Sequence, residues 1–111
     1  MAIEINLPEM HPVAGFKLGT ACAGIKVADR KDLVIMSFDP SATVAGIFTQ
    51  NAFCAAPVHV AKAHLNDNSA PEKKTQYFVI NTGNANAGTG EQGMLDANKT
   101  CQKLAELAQV I

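Results

Sequence analysis

The sequence predicts an α/β protein of the α+β type, in which mixed or antiparallel strands form a sheet and a helix packs on it. Two short apolar runs, residues 33–38 and 77–80, have the length of buried strands and are bounded by turn-forming residues. Residues 91–109 repeat apolar side chains at helical spacing, which predicts one long amphipathic helix. Turn chemistry at residues 39–43 connects the first run to a third, residues 44–49, and favours an antiparallel hairpin between those two strands.

The remaining segments are assigned from local composition. Residues 15–26 are rich in glycine and other small residues, which predicts strand pieces separated by glycine bends. We expect residues 55–58 to be extended, residues 60–65 to form a brief helix, and residues 66–74 to form a polar surface loop. There is no internal repeat and no interdomain linker, so residues 1–111 are expected to form a single segment.

The two ends of the long helix carry further signals. Thr89 and Gln92 have capping-box spacing, so the Thr89 hydroxyl is expected to accept a hydrogen bond from a first-turn N–H. Glu91 and Asp96 lie near the helix N-terminus, where the helix dipole favours negative charge. The sequence ends on apolar residues without a glycine stop, which predicts that this chain is part of a longer protein.

Composition and charge exclude several functional classes. The formal net charge is −1, from 9 basic and 10 acidic residues, so no basic stripe is available for nucleic acid or an anionic membrane. The first residues lack the basic and apolar regions of a secretory signal, and no apolar run approaches the roughly 18 residues of a membrane span. Cys22, Cys54 and Cys101 are widely spaced and are expected to be reduced, buried thiols rather than metal ligands or disulfide partners. These features predict a cytoplasmic protein with no metal site.

A literal G-x-G-x-x-G, residues 88–93, follows a predicted strand and precedes a predicted helix. In a dinucleotide-binding loop the first glycine lies within a residue or two of the strand end, whereas here about seven residues intervene. The motif also needs a second strand with an acidic residue roughly 20 residues further on, and the sequence ends near that point without one. Glu91 would place a carboxylate where a phosphate should sit. We therefore expect these glycines to serve the backbone rather than a nucleotide.

The segment before those glycines, residues 81–87, is unusually rich in asparagine and directly follows a buried strand. Asparagine and glycine tolerate left-handed backbone, and asparagine side chains bond to nearby main-chain groups. One interpretation is a tight loop that redirects the chain from sheet to helix. The other is a loop that faces a polar ligand, with backbone donors at a helix N-terminus. The candidate substrate-binding residues are Asn51, Asn81, Gly83, Asn84 and Asn86.

Several charged or titratable residues have both a functional and a structural interpretation. His59 and His64 are five residues apart and do not align on one helical face, which favours ordinary surface or core histidines over ligands or bases. Lys26 follows small residues and either attracts a carboxylate substrate or is simply solvated. Arg30 and Asp32 are spaced so that they could pair across a turn, but an exposed ion pair contributes only about 0–1 kcal/mol.

Five blocks, in the same order, resemble the ornithine acetyltransferase family, the bifunctional glutamate N-acetyltransferase/amino-acid acetyltransferases of arginine biosynthesis. The resemblance extends over residues 13–109 and is most specific at the Asn-Thr-Gly-Asn-Ala-Asn-Ala segment. Gly88 departs from the family, which often has cysteine there. The blocks are Gly15-Phe16 with Gly24-Ile25-Lys26, Arg30-Lys31-Asp32-Leu33, Ala45-Gly46-Ile47-Phe48-Thr49-Gln50-Asn51, Ala55-Ala56-Pro57-Val58, and residues 81–87 with Thr89-Gly90-Glu91-Gln92-Gly93 and Asp96-Ala97.

This resemblance implies a self-cleaving precursor with α and β subunits in an α2β2 assembly. It also implies the layered α-β-β-α fold of autocleaving ornithine acetyltransferase/aminopeptidase-like proteins. The threonine that begins the β subunit takes acetyl from N2-acetylornithine and passes it to glutamate through an acetyl-threonine intermediate, and some members also accept acetyl-CoA. No metal or organic cofactor takes part. A threonine hydroxyl is a weak nucleophile until a base, here its own α-amine, activates it.

The family's catalytic motifs have no counterpart in this sequence. Its Lys-Gly cleavage site, its Ala-Thr-Met-Leu nucleophile and its Ser-Thr-Gly-Val-Ile-Gly oxyanion block are absent, and Thr82-Gly83 and Thr89-Gly90 share only a dipeptide with the last. The resemblance therefore implies that residues 1–111 are the N-terminal part of an α subunit, inactive alone, whose partners are the remaining α segment and the β subunit. Two alternatives stay open: an autocleaving N-terminal aminopeptidase-like hydrolase, and a non-enzymatic small-molecule binding domain.

Overall fold

The computed structural model describes residues 5–67 and 74–109, which contain three strands and two helices. The strands form one sheet in the order β1-β2-β3, and both pairings are antiparallel. The predicted α+β class is confirmed, with antiparallel rather than mixed strands in this part of the chain. The elements are β1 (Phe16–Ala21), β2 (Leu33–Phe38), α1 (Ala56–Leu65), β3 (Tyr77–Asn81) and α2 (Gly90–Ala108).

The elements with the strongest sequence patterns lie where they were predicted. β2 has the predicted bounds, and β3 extends one residue further, through Asn81. The long helix, predicted over residues 91–109, is α2. β1 lies inside the glycine-rich segment predicted to hold strand pieces. The predicted polar loop is exposed at residues 66, 67 and 74, and residues 68–73 lie outside the described part.

The predicted hairpin between β2 and residues 44–49 is wrong. Those residues have no regular secondary structure, and Ile47 is fully exposed. β2 pairs with β1 along one edge and with β3 along the other, so neither edge is free for a third partner. The turn itself is confirmed, because the Asp39 carboxylate accepts hydrogen bonds from the Ser41 amide at 2.8 Å and the Ser41 hydroxyl at 2.6 Å.

The start of α1 also differs from the prediction. Residues 55–58 were expected to be extended, yet the helix begins at Ala56. Pro57 occupies the first turn, where its fixed φ suits a helix and its missing N–H breaks no intrahelical bond. The Ala56 amide donates to the main-chain oxygen of Asn86 at 3.2 Å, so a tertiary contact occupies a donor that the helix leaves unpaired.

One face of the sheet is apolar and only partly covered by the described residues. Phe38 is central to it, with ring centroids 5.6 Å from Phe16 and 4.7 Å from Phe78. Leu18 and Ile80 on this face remain 56% and 47% exposed. The strand register places the following residues on this face: Phe16, Leu18, Thr20, Val34, Met36, Phe38, Phe78 and Ile80.

The opposite sheet face looks toward α2 across an open cleft of about 630 Å³. Leu33, Ile35 and Val79 line the sheet side, and Leu104 and Leu107 are among the residues that line the helix side. The helix therefore lies over the sheet as predicted, but a gap separates the two layers. The two helices pack against each other, and Ala56 and Val60 of α1 are 7% and 5% exposed. No helix in the described ranges is long and apolar enough to cross a membrane.

The connection from β1 to β2 is held by Asp32, which is only 4% exposed. Its carboxylate accepts hydrogen bonds from the amides of Ala23 at 2.6 Å and Ile25 at 2.9 Å. These bonds, with Ile25 the stronger influence, lower the pKa of the Asp32 carboxyl below its ordinary value. The ion pair with Arg30 that the spacing allows does not form here, and the Arg30 guanidinium donates instead to the Thr82 hydroxyl at 3.4 Å. The Asp32 carboxylate is bonded by main-chain amides of the loop rather than by the guanidinium.

Candidate functional site

The asparagine-rich loop between β3 and α2 is organised around Asn86, a non-glycine residue with φ of +51°. Its main-chain oxygen accepts the Ala56 amide, and its own amide donates to Asn84 Oδ1 at 3.0 Å. Its side-chain Nδ2 donates to the Gly93 oxygen at 2.8 Å, and its Oδ1 accepts the Thr89 hydroxyl. Asparagine is one of the few side chains that tolerate a left-handed backbone. Asn86 thus joins the loop, the start of α1 and the first turn of α2.

The predicted capping box at the start of α2 is wrong. Thr89 is the residue before the helix, but its side chain makes no capping bond because the hydroxyl donates to Asn86. Gln92 donates to Asp96 at 2.9 Å instead of reaching back to Thr89. Gly93 is buried beneath this cluster, and a Cβ built there would lie 2.7 Å from Thr89 Cβ and 2.5 Å from Asn86 Oδ1.

These contacts explain the G-x-G-x-x-G pattern without a nucleotide. Gly88 and Gly90 adopt φ values of +66° and +61°, which glycine accepts readily. Gly93 is required because there is no room for a side chain against Asn86 and Thr89. β3 ends at Asn81, well before the first glycine of the pattern. The three glycines therefore serve the turn into α2 and its close packing.

A cleft of about 380 Å³ lies where the first turns of α1 and α2 approach each other. No side chain caps either helix in the described structure, and the Ala56 amide at the start of α1 is taken up by the main-chain oxygen of Asn86. Glu91 contributes a carboxylate to the lining of this cleft. The lining residues are Ala52, Phe53, Cys54, Ala56, His59, Asn86, Gly88, Thr89, Gly90, Glu91 and Met94.

The structure divides the five predicted substrate-binding residues between two places. Asn86 lines the cleft, and Asn51 immediately precedes the lining residues, with its Oδ1 accepting the Phe53 amide at 2.9 Å. Asn81, Gly83 and Asn84 lie on the other side of the loop.

On that side the loop approaches the β1–β2 connection. A Cβ on Gly83, whose φ is +102°, would lie 3.0 Å from Lys26 Cβ. Asn81 Nδ2 donates to the Asn84 oxygen at 2.8 Å, and the side chains of both residues are exposed. The loop is therefore both a tight structural turn and a surface that presents amide groups, so the two interpretations of the sequence are compatible.

One pair at the cleft was not predicted from the sequence. Cys54 Sγ lies 3.1 Å from His59 Nε2 and 3.9 Å from Nδ1. The prediction of three buried thiols is wrong, since Cys22 is exposed and Cys54 and Cys101 are partly exposed, although all three are unpaired. A start of α1 at Ala56 puts His59 in the first helical turn beside Cys54. Within the described residues, no group of three or more potential metal ligands comes together.

Comparison with known proteins gives one consistent family. Residues 17–111 match the model of the ArgJ family. The chain is 55% identical over 111 residues to the arginine biosynthesis bifunctional protein ArgJ of Pseudomonas fluorescens, and 51% identical to that of Pseudomonas syringae. These alignments cover 99% of this chain and 26% of each relative, so the chain spans about a quarter of the length of the curated relatives it matches.

Solved structures agree. The fold is similar to the crystal structure of arginine biosynthesis bifunctional protein ArgJ from Bacillus halodurans, with a TM-score of 0.77, 31% identity, and coverage of 88% of this chain and 49% of that one. It is also similar to ornithine acetyltransferase from Mycobacterium tuberculosis complexed with ornithine, with a TM-score of 0.68, 34% identity, and coverage of 78% and 43%. The predicted family is confirmed, and the chain belongs to the ArgJ family.

Proposed function

We propose that the complete protein transfers acetyl from N2-acetylornithine to glutamate in arginine biosynthesis, with acetyl-CoA as a further possible donor. The observation that carries this proposal is the match of nearly the whole chain to bifunctional ArgJ proteins, at up to 55% identity. The reaction requires a nucleophile that attacks the acetyl carbonyl, and donors that stabilise the resulting oxyanion. We assign the nucleophile to the threonine that begins the β subunit and the oxyanion donors to the family's Ser-Thr-Gly-Val-Ile-Gly block, with an acetyl-threonine intermediate and no cofactor.

In this proposal residues 1–111 are the N-terminal part of an α subunit in a cytoplasmic α2β2 enzyme. The chain is inactive alone and serves as scaffold and subunit interface, with the remaining α segment and the β subunit as partners. The partly uncovered apolar sheet face supports this role, since Leu18 and Ile80 together with Phe78 leave a contiguous apolar surface for another layer. The layered α-β-β-α fold of the family would supply that layer.

We further propose that Asn51 and the asparagine-rich loop face substrate, the loop through Asn81, Gly83, Asn84 and Asn86. Asn86 is committed to structural hydrogen bonds. Asn84 differs, because its Oδ1 accepts the Asn86 amide while its Nδ2 has no partner in the described part of the chain. That exposed donor suits the carboxylate shared by glutamate and acetylornithine. Asn84 is therefore the position at which a binding role can be separated from a structural one.

Acetyl transfer should be observed when the protein expressed from its complete reading frame is mixed with N2-acetylornithine and glutamate. We expect equimolar ornithine and N-acetylglutamate, measured by liquid chromatography with mass spectrometry. Replacing N2-acetylornithine with acetyl-CoA tests the second donor. Expression of residues 1–111 alone is the control and should give no product.

The same preparation distinguishes the alternatives. Release of N-terminal residues from peptides, without acetyl transfer, would assign the protein to the aminopeptidase-like class. Tight binding of acetylornithine without turnover, in a protein that remains one uncleaved chain, would favour the non-enzymatic binding domain. Either result would overturn the acetyltransferase proposal.

The Asn84→Asp variant tests the proposed substrate contact. Aspartate keeps the acceptor for the Asn86 amide but replaces the exposed donor with a negative charge. We expect the KM for glutamate to rise about tenfold, because the introduced carboxylate would repel the carboxylate of the substrate. The melting temperature should change little, because the hydrogen bond to the Asn86 amide is kept. The control is Asn98→Asp, also exposed but on α2. Equal KM values for Asn84→Asp and the unmodified protein would remove Asn84 from the binding surface.

A further inference from the structure

The pair Cys54 and His59 has the geometry of a thiol and its proton acceptor. The sulfur is 3.1 Å from His59 Nε2, well within the contact range of a hydrogen bond that involves sulfur. In the tautomer whose Nε2 lacks a proton, the imidazole accepts a hydrogen bond from the Cys54 thiol and is placed to take its proton when the sulfur attacks. A neighbouring imidazole is one of the environments that make a cysteine nucleophilic.

The surroundings leave this sulfur accessible. Cys54 is partly exposed and His59 is exposed, and both line the 380 Å³ cleft. Cys54 immediately precedes Ala55, the N-cap of α1, so the sulfur lies near the positive end of the helix dipole. Glu91 also lines the cleft, and its negative charge disfavours the development of negative charge on the sulfur. The His59 ring is in direct contact with the sulfur, and no contact between the Glu91 carboxylate and this sulfur lies in the described part of the chain.

The other two cysteines provide an internal comparison. Cys22 is exposed, but no hydrogen-bond partner for its sulfur lies in the described residues. Burial raises the pKa of the Cys101 thiol, which disfavours its reactive thiolate form. If access alone governed reactivity, Cys22 would react fastest. If the imidazole governs it, Cys54 reacts fastest although it is less exposed.

We propose that Cys54 and His59 form a reactive thiol–imidazole pair that makes Cys54 a modification site for low-molecular-weight disulfides. The thiol proton passes to His59 Nε2, and the Cys54 sulfur attacks one sulfur of the small disulfide. A new S–S bond forms as the old one breaks, and the leaving thiolate takes up a proton. Cys54 is thereby oxidised to a mixed disulfide, and one half of the reagent is reduced to a free thiol. The cleft provides the space that the attached group would occupy.

The test exposes the protein, expressed from its complete reading frame, to oxidised glutathione near neutral pH. Peptide mass spectrometry follows the mixed disulfide at each cysteine over time. We expect Cys54 to be modified about tenfold faster than Cys22, with Cys101 the slowest. This comparison needs no variant, so it stands even where a substitution impairs folding. A Cys54 rate equal to or below that of Cys22 would overturn the proposal.

The role of the imidazole is tested with His59→Gln, which keeps a polar side chain but cannot accept the proton as a base. We expect the Cys54 rate to fall about tenfold while the Cys22 rate is unchanged. His64→Gln is the matched control, since His64 is an exposed histidine of the same helix. An unchanged Cys54 rate in His59→Gln, or an equal loss in His64→Gln, would show that His59 does not activate the sulfur.

Discussion

The Gly93→Ala variant of the complete protein is expected to be less stable than the unmodified protein by about 2 kcal/mol. Helix propensity alone predicts the opposite sign, because alanine is favoured over glycine inside a helix by about 1 kcal/mol. The tertiary contacts decide the outcome. The added methyl group would meet Thr89 and the Asn86 side chain, and moving Thr89 would break the hydrogen bond between the two. Urea unfolding of both proteins measures the difference.

A double-mutant cycle identifies the steric cause. Thr89→Gly removes the Thr89 side-chain atoms that crowd the methyl group, so Thr89→Gly with Gly93→Ala should be more stable than the sum of the single effects predicts. Gln102→Ala, at an exposed position on α2, is the control and should change stability by less than about 0.5 kcal/mol. Additive effects in the cycle, or stabilisation by Gly93→Ala, would show that the close packing around Gly93 has been misidentified.

Asp32→Asn is expected to loosen the connection between β1 and β2. It should also remove the contribution of the Asp32 carboxyl to the pH dependence of folding stability. The carboxylate receives two amide donors, whereas asparagine presents one oxygen and turns an N–H₂ group toward the other donor. Two N–H donors would then face each other without an acceptor in this nearly buried position, which is unfavourable. Hydrogen exchange at the Ala23 and Ile25 amides should accelerate about tenfold or more.

The pH dependence of that difference has a definite sign. The pKa of the Asp32 carboxyl is lowered in the folded state, chiefly by the Ile25 amide and then the Ala23 amide. Its ionised form therefore stabilises the fold above the unfolded-state pKa, and this contribution is lost as the pH falls through the folded-state pKa. The stability difference between the unmodified protein and Asp32→Asn should be largest near neutral pH and should shrink as the pH falls below about 4.

Asp39→Asn is the matched control for this experiment. The Asp39 carboxylate also accepts two hydrogen bonds and also has a lowered pKa, mainly because of the Ser41 hydroxyl and then the Ser41 amide. Its partners are two residues away and the group is exposed, so its loss should affect the local turn only. Equal effects of the two substitutions on exchange in the β1–β2 connection would contradict the special role of Asp32.

The regular elements followed from the sequence where the pattern was local and long enough. Residues 33–38 and 77–80 were predicted as strands because short apolar runs between turns can bury both faces, and α2 because its apolar spacing continues for several turns. Residues 44–49 have equally strand-like composition but form no strand. A strand needs a free edge with which to pair, and both edges of β2 were already occupied. The composition of one segment does not show which of several candidate strands will pair with β2.

The candidate site was also predicted only in part from the sequence. The asparagine-rich loop was identified from composition, since few other residues combine positive φ with side-chain bonds to the main chain. Which asparagine organises it was not predictable, because Asn86 acts through Ala56 in the first turn of α1 and Gly93 in the first turn of α2, and nothing local shows that these turns meet. The Cys54–His59 pair was missed because the five-residue spacing matches no ligand motif, and it forms only when α1 begins at Ala56.

The sequence by itself determined the family, the central and third strands, the long helix and the loop that joins them. These are properties of residue order and of short-range periodicity, which do not require knowledge of what lies opposite. Only the tertiary structure decided the partners of β2, the crowded place of Gly93, the amide donors around Asp32 and the contact between Cys54 and His59. Each of these depends on the distance between groups whose separation is set by how the elements pack, and packing is a property of the whole arrangement rather than of any one segment.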